Sequence, residues 1–133
     1  MDRTRILIAE DETHMARYLE HHLSKAGYET RVVGNGLEAF AAVGDFLPSA
    51  ILLDIEMPGL SGIEVCKKLR ADPRRAGLVI LIITGHSFDA RNEEMAAIGA
   101  NWCFSKPISP SSLKAKLVEL GVPPVKSADG ADS

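Results

Sequence analysis

The sequence predicts an α/β domain built on a doubly wound parallel sheet, and two observations carry the prediction. Short, continuously apolar runs recur along the chain (Ile6–Ala9, Ala50–Leu53, Val79–Ile83 and Trp102–Ser105), with helix-length segments between them. Runs of this kind read as strands buried on both faces. Their alternation with helices implies right-handed crossovers, hence parallel strands covered on both sides. The second observation is where the polar residues fall. Glu10 and Asp11, Asp54, Thr84 and Lys106 each stand at the carboxyl end of such a run. In an open parallel sheet, that end is where ligands bind.

Each element has its own signal. The first strand covers about residues 5–10, and Met15, Leu19, Leu23 and Ala26 then recur at helical spacing. Gly27 ends that helix in the position glycine favours. A short strand spans Glu29 to Val33, Gly34-Asn35-Gly36 makes a turn, and Leu37, Phe40, Ala41 and Val43 mark the apolar face of a second helix closed by Pro48. The third strand is about 50–54, followed by a loop punctuated by Pro58-Gly59 and Gly62. A third helix runs from about Ser61 to Ala71 with Val65 or Cys66 and Leu69 inward, and Asp72-Pro73 stops it. The fourth strand is about 79–84. A weaker helix near Asn92 to Ile98 ends at Gly99-Ala100, and the fifth strand is about 102–105. The last helix opens with Ser109 as N-cap and Pro110 at its first position, and Leu113, Leu117 and Leu120 form its stripe. One domain is expected over 1–121. Residues 122–133, rich in Pro, Ala, Ser, Asp and Gly, read as a disordered tail or the start of a linker.

Composition narrows the function. A chain of 133 residues with 46% hydrophobic content is one ordinary domain with enough apolar surface for a core. A net charge of −3 gives no basic face for non-specific nucleic-acid binding. Two cysteines, Cys66 and Cys103, are too few for a disulfide or zinc framework and are expected to be buried small hydrophobes. The N-terminal apolar run is far too short for a signal peptide or membrane span, so a soluble, cytoplasmic protein is expected. The chemistry of the strand ends is more specific. Three carboxylates brought together repel each other and call for a hard cation, while a hydroxyl and an ammonium beside them suit a phosphoryl group.

Four blocks carry a resemblance: Ile6-Leu7-Ile8-Ala9-Glu10-Asp11-Glu12, Leu53 through Gly62, Ile83-Thr84-Gly85 and Ser105-Lys106-Pro107. In order and spacing they resemble the receiver domain of two-component response regulators, over about residues 4–121. The resemblance implies a flavodoxin-like (βα)5 fold with strand order 2-1-3-4-5. It makes Asp54 the phosphoryl acceptor, and a carboxylate is competent to form an acyl phosphate. It gives Mg2+ to Asp11, Asp54 and the backbone carbonyl of Glu56, with Glu10 holding the ion through water. Glu10, Asp11 and Asp54 sum to −3, which Mg2+ and Lys106 balance. Lys106 would pair with Asp54 and later with a phosphate oxygen, and a cis Lys106-Pro107 bond would aim it inward. Thr84 would donate its hydroxyl to the phosphoryl group, and the Gly85 amide would do the same. Glu56 and His86, which flank the phosphate, would tune its hydrolysis together with Gly85. Thr84, Trp102 and Cys103 fall in the switch region. The implied donor is a histidine kinase or histidine phosphotransfer protein. The output is binding of an unidentified partner through the helix 4–strand 5–helix 5 face. Neither nucleic acid nor membrane is expected to be contacted directly, the state expected is monomer or weak dimer, and catalysis is limited to self-phosphorylation and autodephosphorylation.

The sequence also departs from the family pattern. Receiver domains usually carry Tyr or Phe three residues before the lysine, and here that residue is Cys103. Trp102 is adjacent, but successive strand residues point to opposite faces, so it does not replace the ring. It is expected to be either an exposed anchor for a partner or packed on a neighbouring helix. Leu113-Lys114-Ala115-Lys116-Leu117 lacks the arginine-bearing dimer pattern of the transcription-factor subfamily. Competing readings are a transition-metal site using His14 and His86, a haloacid-dehalogenase-like phosphatase, a flavin mononucleotide carrier, and an interaction module that ignores phosphorylation. Glu10-Asp11 replaces the Asp-x-Asp a dehalogenase-like phosphatase needs, and Asp11-Glu12 would repel a flavin phosphate. His21-His22 is expected to be a surface feature. The 133 residues are expected to be a stand-alone receiver or the first domain of a longer protein.

Overall fold

Backbone pairing follows from burial on both faces. The computed structural model describes residues 3–85 and 91–125, without the side chains of Arg91 and Asn92. Strands β1 (Arg5–Ala9), β2 (Glu29–Val33), β3 (Ala50–Asp54), β4 (Val79–Thr84) and β5 (Trp102–Ser105) form one parallel sheet in the order β2-β1-β3-β4-β5. Helices α1 (Thr13–Lys25), α2 (Gly36–Phe46), α3 (Gly62–Arg70), α4 (Arg91–Ala97) and α5 (Pro110–Glu119) fill the crossovers. The flavodoxin-like α/β fold and strand order expected from the sequence are those observed. Alternate strand residues divide the core in two. Leu7, Ile51, Leu53, Ile80 and Ile82 pack with residues of α2, α3 and α4. Ile6, Ile8, Leu52, Leu81 and Ile83 pack with residues of α1 and α5.

Helix starts are fixed by side chains that take up orphan amide groups. Ser61 and Glu64 form a reciprocal capping box on α3. Asn35 accepts from the Glu38 amide at 2.8 Å, and Ser109 caps α5 ahead of Pro110. Glu12 caps α1 by accepting from the His14 and Met15 amides. Gly62 stands where no Cβ fits, because that atom would fall inside contact distance of the Asp54 carbonyl oxygen. A side chain there would displace the loop that follows Asp54.

Two features differ from the sequence expectation, and a third was not foreseen by it. First, α2 is turned. Ala39, Ala42, Val43 and Phe46 face the core, whereas Leu37, Phe40 and Ala41 face solvent. The helix carries apolar residues on both sides, so its pattern did not say which side meets the sheet. Second, the tail expected to begin at 122 is held to the body through Val125. Val122 is buried, Tyr28 donates its hydroxyl to the Val122 carbonyl, Thr4 bonds the carbonyls of Pro123 and Pro124, and Arg3 bridges Val125. Residues 126–133 lie outside the described residues. Third, Arg70 ties together several turns. Its guanidinium donates to the carbonyls of Gly99, Arg75 and Leu78 at 2.7 Å each and to Asn101 Oδ1 at 2.9 Å.

Burial pushes the Tyr28 phenol up to about 12. The unfolded chain releases this proton near 10, so the phenol's contribution is whole below that pH and is lost as pH rises towards 12. Two units correspond to roughly 2–3 kcal/mol. Tyr28→Phe is expected to cost about 1 kcal/mol near neutrality, one hydrogen bond, and to flatten the decline of stability between pH 10 and 12. Urea unfolding across that range measures both, and equal slopes for the two proteins would disprove the assignment.

Candidate functional site

Glu10, Asp11, Asp54 and Lys106 meet where the topology sends them, and Thr84 ends the strand beside them. Asp54 ends β3 and is 3% exposed. Its Oδ1 accepts from the Glu56 amide at 3.1 Å. The loop behind it is pinned by Ile55 N–H to the Ile83 carbonyl at 2.9 Å and by Gly62 N–H to the Ile55 carbonyl at 3.1 Å. Glu10 follows β1, with its backbone amide bonded to the Val33 carbonyl. Its carboxylate is buried and accepts from the Glu12 amide at 3.1 Å. Lys106 follows β5, its amide bonded to the Thr84 carbonyl at 2.8 Å, and the Lys106-Pro107 bond is cis. Lys106 Nζ lies 3.2 Å from Glu10 Oε1 and 3.5 Å from Asp54 Oδ2. Thr84, at the end of β4, is buried, and Gly85 beside it is exposed.

Charge is crowded in this crevice. Burial first, and then the shared hydrogen bond with Asp54, push the Glu10 carboxyl up to about 7, although the Glu12 amide and Lys106 pull the other way. For Lys106, burial lowers the ammonium, but the charges of Asp54 and Glu10 outweigh it and hold it above its ordinary value. Glu10, Asp11 and Asp54 each offer a carboxylate oxygen, and these oxygens lie within 4.8 Å of one another. Glu10 Oε1 is buried, and the Lys106 ammonium 3.2 Å away is its ion-pair partner. With all three carboxylates ionised against one lysine, the excess is −2. A set of hard oxygen donors within 4.8 Å of one another, carrying more negative charge than one lysine balances, fits a hard divalent cation.

Other expected residues sit as follows. Asp11 and Glu56 are exposed at the rim. His14 is exposed and takes no part in the carboxylate cluster, which leaves the transition-metal reading without its described histidine; His86 lies outside the described residues. His21 is exposed, but His22 is half-buried and meets the Tyr18 ring edge-on at 4.7 Å. Cys103 points into the core on the α3–α4 side near Met95 and Ala100, and neither cysteine is in a disulfide. Trp102 is half-buried on the opposite side, with Lys116 Nζ 3.7 Å above its ring, so it packs against α5.

Comparison with known proteins gives the family and the fold. Residues 6–118 match the response regulator receiver domain model. The DNA-binding response regulator MtrA of Mycobacterium tuberculosis is 35% identical over 115 residues, which is 86% of this chain and 49% of MtrA. The phosphate regulon transcriptional regulatory protein PhoB of Rhizobium meliloti is 32% identical over 85% of this chain and 50% of its own length. The chain thus spans about half the length of these relatives. Among solved structures, a putative response regulator from Chloroflexus aurantiacus superposes with a TM-score of 0.84 at 31% identity, covering 90% of this chain and 98% of that one. Chemotaxis protein CheY4 of Vibrio cholerae gives 0.82 at 27% identity, covering 90% and 99%.

Proposed function

The chain belongs to the response regulator receiver family, and from that premise we propose that it is a phosphorylation-controlled switch with Asp54 as acceptor. The observation that carries this is the buried Asp54 carboxylate flanked by Glu10, Asp11 and Lys106. An Asp54 oxygen forms a bond to phosphorus while the bond from phosphorus to the donor's nitrogen breaks, and the electron pair leaves with the donor. The donor is a histidine kinase or histidine phosphotransfer protein. Lys106, 3.5 Å from Asp54 Oδ2, would pair with the new phosphoryl oxygens, and Thr84 and the Gly85 amide, at the neighbouring strand end, would donate to them. Glu10, Asp11 and Asp54, with the Glu56 carbonyl, would hold Mg2+. When bound, the ion neutralises the excess charge and lets an anionic donor approach. Glu56 and His86 would set how fast water removes the group. Relatives named as DNA-binding regulators extend well beyond the matched half, so the expectation of no nucleic-acid contact is confined to this domain. No helix among the described residues is long and apolar enough to cross a membrane.

A small acyl-phosphate donor with Mg2+ is expected to phosphorylate the protein, and a chelator is expected to stop it. Asp11→Asn is expected to weaken Mg2+ binding at least about tenfold, roughly 1.4 kcal/mol. Glu12→Gln is expected to leave it nearly unchanged, since Glu12 is committed to capping α1. Titration followed by Trp102 fluorescence or calorimetry reads both. Equal losses would mean that the acidic pair is misassigned.

Output is expected through α4, β5 and α5, with weak coupling. Moving an equilibrium from 1:99 to 99:1 takes about 5.5 kcal/mol. Burial of an aromatic ring would supply roughly 1.5–3 kcal/mol of that, and Cys103 has far less area to rebury. With beryllium fluoride bound, amide shifts along these elements are expected to be small in wild type and larger in Cys103→Tyr. Large shifts already present in wild type would show a relay independent of residue 103.

A further inference from the structure

The loop that follows Lys106 is tied to α1 by one side chain. Tyr18, in the second turn of α1, donates its hydroxyl to the Ile108 carbonyl at 2.8 Å, across 90 positions of sequence. Ile108 comes directly after the cis Lys106-Pro107 bond, and its side chain is buried in the half of the core that α1 and α5 cover. The hydrogen-bond ladder of α5 begins one residue later, with Leu113 N–H to the Ser109 carbonyl. The Ile108 carbonyl stands outside that ladder, and Tyr18 supplies its donor. The Tyr18 ring is 37% exposed, whereas Leu19 and Leu23 of the same helix are buried. Apolar burial is therefore the lesser part of what this position contributes, and the hydroxyl the distinctive part.

The two ends of the tether lead to the two sides of the crevice. Helix α1 follows closely on Glu10 and Asp11, with Glu12 as its cap. The loop follows directly on Lys106, whose own amide is fixed to the Thr84 carbonyl at 2.8 Å. Lys106 is thus held from the β4 side by its backbone and from the α1 side through Tyr18. Its ammonium reaches to 3.2 Å from Glu10 Oε1 and 3.5 Å from Asp54 Oδ2. A lysine is a point charge on a flexible stem, so where that charge sits depends on how firmly its root is held. Small displacements of a group that must meet a reacting atom are costly in rate.

We propose that Tyr18 is a positioning residue for phosphoryl transfer: its hydroxyl fixes the Lys106 loop against the helix that follows the acidic pair, and so sets the reach of Lys106 to Asp54. Tyr18 touches neither the acceptor nor the donor and acts through Lys106. Its effect on rate rests on Asp54 being the acceptor; the tether itself does not. Tyr18→Phe keeps the ring and its edge-on contact with His22, and removes only the hydroxyl.

Two readouts on wild type, Tyr18→Phe and Tyr28→Phe test this. Tyr28→Phe also loses one phenol hydrogen bond, to the Val122 carbonyl, but ahead of β2 at the amino ends of the strands. Trace acetylation of lysines in metal-free buffer, read by mass spectrometry against the exposed Lys67, reports how firmly the Lys106 ammonium is held. Phosphorylation by a small acyl-phosphate donor with Mg2+ reports the consequence. Tyr18→Phe is expected to label Lys106 about threefold faster and to be phosphorylated about threefold more slowly, within the roughly fivefold that one neutral hydrogen bond is worth. Tyr28→Phe is expected to change neither. Unchanged Lys106 labelling in Tyr18→Phe, equal gains in both variants, or faster labelling with an unchanged phosphorylation rate would each overturn the proposal. A wild type that takes up no phosphoryl group would overturn the acceptor reading and the role in transfer with it, and the labelling result would then stand for the tether alone.

Discussion

Asp54→Asn is expected to abolish phosphorylation and, in metal-free buffer, to raise stability. The loss follows from chemistry, because an amide offers no anionic oxygen to attack phosphorus. The gain follows from crowding. Asp54 and Glu10 are buried side by side, and the neighbouring Asp54 helps push the Glu10 carboxyl up to about 7. Removing one charge relieves a repulsion worth at least about 1 kcal/mol at 4 Å even in water. Lys106 keeps Glu10 as a partner at 3.2 Å. Saturating Mg2+ should erase or reverse the difference, because wild type then gains binding energy that the variant lacks. Thermal unfolding with and without Mg2+ checks this. A variant that is less stable in both conditions would show that Asp54 serves the fold rather than the crevice.

Arg70→Ala is expected to produce the largest loss of stability of any single change considered. The guanidinium joins the end of α3 to the turn at Arg75, the start of β4 and the α4–β5 turn through four hydrogen bonds. Hydrogen bonds to a charged group are worth about 1.5–3 kcal/mol each. Water will replace some of them, so a net loss of about 3–5 kcal/mol is expected. That corresponds to a fall in the midpoint of roughly 10 °C or more. Arg70→Lys should recover little, because an ammonium cannot span four acceptors as a planar fork does. Urea unfolding of the three proteins decides it. A cost below about 1 kcal/mol for the alanine variant would mean that the tether contributes little.

How far the sequence could be read depended on whether the signal was local. The strands were legible because a run buried on both faces is apolar without interruption, and β3 and β4 are buried at every residue. Glu10, Asp54, Thr84 and Lys106 were legible as a group because the parallel topology sends every strand end to the same crevice. The orientation of α2 was not legible, since apolar residues on both sides satisfy the helical period in either direction. The packing of Val122 was hidden by the Pro- and Ser-rich composition around it, and it depends on Tyr28 and Thr4 far away in the chain. The role of Arg70 depends on carbonyls brought close only by folding, and nothing in its neighbourhood announces it. The capping box was present in the sequence as Ser61 followed by Glu64, a signal that could have set the start of α3 one residue later.

The central claim is that a phosphoryl group is accepted at Asp54. Phosphorylating the wild-type chain with a small acyl-phosphate donor and Mg2+, reducing the acyl phosphate with borohydride, and reading the modified residue by fragmentation mass spectrometry tests it most directly. The expected result is a single modified residue, Asp54, with Glu10 and Asp11 untouched. Modification at Glu10 or Asp11, or none after prolonged incubation with donor and metal, would contradict it.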